Sequence, residues 1–142
     1  MQHQQRQLFD FLLIIDMAGS INIRFPLRKS PKGAFETNQS TIQAVADDLR
    51  ILILTNYGER PIHYDFGANL RRIIFEQGPD VRQQISDAIV AAVDKWMPFV
   101  ILQDVQVNDS STSPTVRPNE VNVKITFSVG QLEGVLEQRI RA

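Results

Sequence analysis

Val121-Asn122-Val123-Lys124-Ile125-Thr126-Phe127-Ser128-Val129 is the stretch from which the fold can be read outward. Apolar and polar residues alternate through it, the period of two that sends successive side chains to opposite faces of a β-strand. A strand with one greasy and one wet face belongs to an antiparallel sheet covered on one side only. Gly130 interrupts the pattern, and residues 132–140 resume it, with Leu136 and Ile140 on one side and Glu137 and Arg139 on the other. A terminal strand is expected there. Upstream, residues 108–119 read as a loop, and within it the Ser, Thr and Pro of residues 109–118 predict a mobile hairpin loop. Residues 99–107 are rich in β-branched and apolar residues and supply the strand before it.

Helical spacing replaces strand spacing before Pro98. Val81, Ile85, Ala88, Ile89, Ala92, Val93 and Trp96 share one face, with Asp80 placed to cap the start and Pro98 unable to continue the ladder. Ile42, Val45, Ala46, Leu49, Leu52 and Ile53 form a second apolar stripe. Ser40 and Gln43 offer it a capping box, and Asn56 and Gly58 tolerate the left-handed backbone that stops a helix near Thr55. Between the two helices the sequence predicts an extended piece over residues 61–66, a bend at Gly67, and a two-turn helix carrying Leu70, Ile73 and Ile74 that ends at Gly78 and Pro79.

Residues 1–36 read differently. A Gln-rich start leads to an apolar stretch at 8–15, then to the alternation Ile21, Ile23, Phe25 of a short strand, and to a Pro-, Gly- and Lys-rich loop over 26–33. The expectation is an α+β fold: two main helices plus a short helix packed on a small, mainly antiparallel sheet, with an extended N-terminal arm. Residues 1–36 form the arm and linker, and residues 37–142 one domain.

Composition excludes several function classes. The 142 residues suit a single core. Fifteen Lys and Arg against sixteen Asp and Glu give a net charge of −1, so no global field draws the chain to nucleic acid or anionic lipid. The absence of cysteine removes disulfides, thiolate nucleophiles and cysteine metal sites, and suits a reducing cytoplasm. The run at 8–15 contains Asp10 and falls short of the roughly 20 residues a membrane span needs, and no signal-peptide pattern follows it. His3 and His63 lack partners at ligand spacing, so no metal and no cofactor is expected. The basic cluster Arg24, Arg28, Lys29 and Lys32 has no aromatic platform nearby, which favours a solvated loop over a nucleic-acid site.

One motif carries more. Thr55-Asn56-Tyr57-Gly58-Glu59-Arg60-Pro61, then Asp65-Phe66-Gly67, Leu70 and Phe75-Glu76 together resemble the signature of the baseplate wedge and sheath-initiator family of contractile phage tails. That family is related to the type VI secretion baseplate subunit with the Gly-Glu-Arg turn. The resemblance runs from about Ile42 to Ile140; Tyr64 departs from it, standing where relatives often carry proline. It implies a structural protein of a contractile injection machine, sited in the virion tail baseplate and assembled in the host cytoplasm. It also implies multiple copies in a symmetric ring, no enzymatic activity, no nucleic acid and no membrane. The implied partners are baseplate wedge proteins, the first ring of tail sheath subunits, and tail tube or hub proteins. Gly58, Glu59, Arg60, Pro61, Asp65, Phe66 and Gly67 would bind wedge partners. Leu132, Gly134, Val135, Leu136, Glu137, Gln138, Arg139 and Ile140 would form the strand that pairs with sheath.

The chemistry of these residues fits such roles. An edge strand offers unpaired backbone groups to another chain, and each added hydrogen bond contributes only about 0.5–1.5 kcal/mol, so Leu136 and Ile140 must help. Arg60 can fork onto a partner carboxylate, with Glu59 and Asp65 as countercharges. The plainer alternative is a tight turn in which Arg60 and Asp65 pair on the surface. Phe66 and Trp96 are expected to be core residues, and residues 132–142 to be dispensable for folding. Two rival functions remain: a regulatory anti-adaptor-like binding protein of the same fold, and a glycan hydrolase using Glu59 and Asp65 as paired carboxylates.

Overall fold

The computed structural model describes residues 22–29, 37–38, 40–76 and 78–142. The chain divides into two compact units, residues 1–47 and 48–142. In the first, β1 (Asn22–Ile23) pairs antiparallel with β2 (Thr37–Asn38), Asn22 facing Asn38. The strand expected around residues 21–25 is thus two residues long, and bends occupy Phe25 and Pro26. The Phe25 N–H donates to the buried Asp47 carboxylate at 3.1 Å. The apolar stretch at 8–15 and most of the expected arm lie outside the described residues.

Helix α1 (Thr41–Leu54) forms where the stripe predicts it. The Ser40 carbonyl accepts the Ala44 N–H at 3.0 Å, the first helical bond. At the other end Thr55 sends both its N–H and its hydroxyl to the Ile51 carbonyl, at 3.1 and 2.6 Å, and the chain turns away. Helices α2 (Leu70–Glu76) and α3 (Val81–Trp96) follow. Asp80 occupies the N-cap of α3 with φ −109°, but its side chain makes no capping bond; only its carbonyl is used, by the Gln84 N–H at 3.0 Å. The expected carboxylate cap is absent because the Gly78-Pro79 turn delivers Asp80 outside the extended geometry that caps adopt. At the far end the Met97 N–H reaches Val93 O at 2.8 Å, and Pro98, with no N–H to give, ends the ladder.

Strands β3 (Ile101–Asn108), β4 (Glu120–Val129) and β5 (Leu132–Arg141) form an antiparallel sheet in the order β3-β4-β5. The quoted stretch is the central strand. Its Val121, Val123, Ile125 and Phe127 are buried on one face, and α3 packs against β3 while α2 packs against α3 and β5. Leu49, Leu52, Ile53, Ile85 and Ile89 complete this core. Ten β4–β5 pairs run without a slip from Glu120↔Arg141 to Val129↔Leu132, around a two-residue turn whose Gly130 has φ +60°. That left-handed first position is what a tight hairpin asks of glycine.

Three expectations need correction here. Leu136 and Ile140 are each only 2% exposed, so residues 132–142 complete the core rather than hang from it, and deleting them would unfold the sheet. Residues 109–119 are not a loose loop: one Asp109 oxygen accepts the N–H groups of Ser111 and Thr112 at 3.1 and 3.0 Å and their hydroxyls at 2.5 and 2.8 Å, while Val116 is buried. The Ser111 hydroxyl, then Thr112, hold the Asp109 carboxyl below its usual range, with Arg82 at 3.8 Å adding to the effect. Finally, residues 61–66 are coiled rather than extended, because the Gly58 N–H closes back onto the Tyr64 carbonyl at 2.7 Å.

Candidate functional site

The loop between α1 and α2 is built on two glycines. Gly58 adopts φ +87° and faces open space, so its need is conformational. Gly67, at φ +117°, is also steric: a Cβ there would lie 2.1 Å from the Thr55 carbonyl oxygen. That close approach lets Ala68 N–H bond Leu52 O at 3.2 Å and Asn69 N–H bond Thr55 O at 3.4 Å, clamping the loop's exit onto the end of α1.

Side chains then fix the loop's surface. Both Glu59 oxygens are held by Asn56, through its backbone N–H and its amide, each at 2.9 Å. Those bonds, the backbone one first, hold the Glu59 carboxyl below its usual range. Asp65 pairs with Lys95 of α3, and that bond is the main reason its pKa is lowered too. Neither acid serves Arg60. The Arg60 guanidinium instead lies 4.2 Å from the Phe66 ring centroid, Phe66 meets Trp96 edge-on at 5.1 Å, and His63 also meets Trp96 edge-on at 5.5 Å. Both the Arg60–Asp65 surface pair and the countercharge role of Glu59 and Asp65 are therefore replaced by a stack that joins the loop to the end of α3. Phe66 and Trp96 are half-buried members of that stack and not core plugs.

Sequence reasoning missed the most exposed apolar groups of the loop. Ile62 is 87% exposed, Tyr64 68% and Tyr57 57%. Ile62 also holds φ +75°, a costly conformation for a β-branched residue, which the closed loop imposes. Tyr57 inside the quoted motif and Tyr64 between its two parts were the available signal; the strain at Ile62 had none.

The second candidate region is β5. Leu132, Val135, Glu137 and Arg139 are exposed, Gly134 and Gln138 half-buried, and Leu136 and Ile140 buried. Ala142 N–H donates to Asn119 O at 3.0 Å, just beyond the last pair of the ladder. Bonded and non-bonded pairs alternate in an antiparallel ladder, so the even-numbered residues of β5 bond β4. The N–H and C=O groups of Glu133, Val135, Glu137, Arg139 and Arg141 point away from it, toward an edge that no strand among the described residues covers.

A sequence profile of the family Baseplate wedge protein gp25 matches residues 39–131. The chain belongs to that family. The gp25-family match contains the whole 58–67 loop and stops one residue before β5. Among solved structures, a chain in the six-fold symmetrised cryo-EM structure of the anti-feeding prophage baseplate is similar at TM-score 0.63 and 24% identity, over 80% of this chain and 87% of that one. A putative tail lysozyme from Geobacter sulfurreducens, in a crystal structure at 1.44 Å, is similar at TM-score 0.62 and 19% identity, over 75% of this chain and 95% of that one. At these identities the likeness is one of fold. Curated protein sequences give no match. The fold of this gp25-family member is α+β, as the alternation and the two stripes imply. For a glycosidase, one carboxyl must be kept protonated near neutral pH. Glu59 and Asp65 are both pushed in the opposite direction, so neither suits the acid's task.

Proposed function

We propose that this baseplate wedge family member is a structural component of a contractile injection machine, docking to wedge partners through the 58–67 loop and receiving a sheath strand along β5. The observation that carries the reading is the outward row of backbone groups on β5, beside a ladder of ten unbroken pairs. Such an edge gives an added strand both hydrogen bonds and a fixed register. The loop supports the docking half: Tyr57, Ile62 and Tyr64 stand out from a scaffold pinned by Glu59, Asp65 and the Arg60–Phe66–Trp96 stack, and preorganised aromatic groups lose little entropy on binding. Copies in a ring multiply a modest strand contact into avidity.

Val135→Pro tests the strand reading. Proline at an outward-facing position removes a donor from the open edge and none from the β4 ladder. The variant is expected to melt within a few degrees of the parent, enter baseplates, and leave the tube without sheath. Normal sheath on particles carrying it would overturn the reading.

A further inference from the structure

We propose that the free protein pairs with a second copy of itself, β5 against β5, antiparallel about a two-fold axis at Leu136, so that each copy covers the other's open edge. The regulatory meaning of this pairing rests on the strand-donation reading; the pairing itself does not.

The argument begins with which groups the edge leaves unused. On the outer face of β5, Glu137 already pairs with Lys124 at 3.7 Å and Arg141 with Glu120 at 3.5 Å, both on β4. Among the described residues two charged side chains on this face have no opposite charge: Glu133, which meets the Gln103 amide at 3.4 Å, and Arg139, which meets Asn122 at 3.3 Å, while the Arg139 carbonyl accepts the Gln138 side-chain amide at 2.9 Å, a contact that an added strand would replace. An acid therefore stands near one end of the strand and a base near the other, with the exposed Val135 between them.

Backbone parity restricts the registers. Only odd-numbered residues of β5 present outward donors and acceptors, so in an antiparallel self-pair odd residues must face odd residues. With Leu136 on the axis, Glu133 faces Arg139 of the second copy twice over, and Val135 faces Glu137. Moving the axis to Glu137 places that acid against itself, and moving it to Val135 sets Glu133 against Glu137; like charges directly opposite destabilise a ladder. An axis at Gln138 would set Glu137 against Arg139, but it overlaps only residues 135–141 of the strand and uses an acid already paired with Lys124. The axis at Leu136 pairs residues 132–140, satisfies the two charges left over, and makes the two sheets one. The contact is a single strand on a single strand, small beside the roughly 1,200–2,000 Å² of a standard stable interface. It is therefore concentration-dependent and yields to a strand offered many times over by a ring. Mutual covering would keep the initiating edge from premature pairing.

Sedimentation equilibrium of the full chain over a concentration series is the test. The parent is expected to approach twice its 16.2 kDa mass as concentration rises. Glu133→Lys and Arg139→Glu, each setting like charges face to face twice, should each weaken association about tenfold. The double variant Glu133→Lys/Arg139→Glu should restore it, because the exchange recreates both pairs. Circular dichroism melts check that all three variants fold. A parent that stays monomeric throughout, single reversals without effect, or a double variant no better than the singles would each overturn the proposal. Sheath assembly is scored separately: a monomeric parent that still nucleates sheath removes self-pairing alone, whereas a self-pairing parent whose Val135→Pro variant assembles normal sheath removes strand donation alone.

Discussion

The two edges of the three-stranded sheet are made of similar residues and end up in different conditions. On β3 the register slips between Leu102 and Asp104, leaving Gln103 as an extra residue, and α3 packs against the strand. Its far end is tied down by Asp109, which gathers the backbone and hydroxyls of the following turn. On β5 nothing slips: ten consecutive pairs hold it to β4, and its odd-numbered amides form a straight row. A bulge and a covering helix are the usual means of blunting an edge. A helix packs against each of these strands, but the bulge is on β3 alone, so the two edges differ in regularity, and the regular one is the edge that the proposed strand donation would use.

The comparison can be broken hardest at its centre. Phe127 lies on β4 between Leu102 and Gly134 and is fully buried, so Phe127→Ala should cost about 3–5 kcal/mol in urea unfolding and weaken both edges together. A cost under about 1 kcal/mol would mean that the sheet does not share one core. Gly67→Ala should follow, at about 2–3 kcal/mol, since a methyl group at φ +117° must displace the Thr55 carbonyl. Near-parental stability there would show that the loop's anchoring is softer than its geometry.

Smaller effects sharpen the contrast. Arg60→Glu removes a guanidinium from the Phe66 face, which should lower stability by only about 0.5–1 kcal/mol while preventing incorporation into baseplates. Unimpaired incorporation would remove Arg60 from the docking surface. At the β3 end, the Asp109 carboxyl is held below its ordinary value near 3.8, so the unfolded chain binds its proton first as pH falls. Its contribution to stability is present above pH 3.8 and is lost as pH falls through the folded value. Asp109→Asn should therefore flatten the acid limb of stability below about pH 4, measured by urea midpoints, with β5 unaffected. An unchanged acid limb would mean that the turn does not depend on the carboxylate.

What could be read beforehand follows from the range of the interactions involved. The alternation from Val121 to Val129 and the stripes ending near Thr55 and at Trp96 are repeated local patterns, and the strand and helices formed on them. The loop was legible only in its glycines. Its coil depends on Gly58 reaching Tyr64, and its surface on Phe66 and Asp65 meeting Trp96 and Lys95 some thirty positions away, pairings that no local spacing announces. The Asp80 cap failed because residue type does not fix backbone angle. For β5 the alternation identified the face but not the edge: which amides point outward was decided by the pairing of Ala142 with Asn119, and the burial of Leu136 and Ile140 by α2 and β4.

Amide hydrogen exchange resolved along β5 reaches the central claim most directly. In the dilute free chain Glu133, Val135, Glu137 and Arg139 should exchange fast while Leu136, Gln138 and Ile140 exchange slowly, and in the assembled particle both sets should be slow. Fast exchange of the odd-numbered amides within a sheathed particle, or slow exchange already in the dilute monomer, would contradict the account.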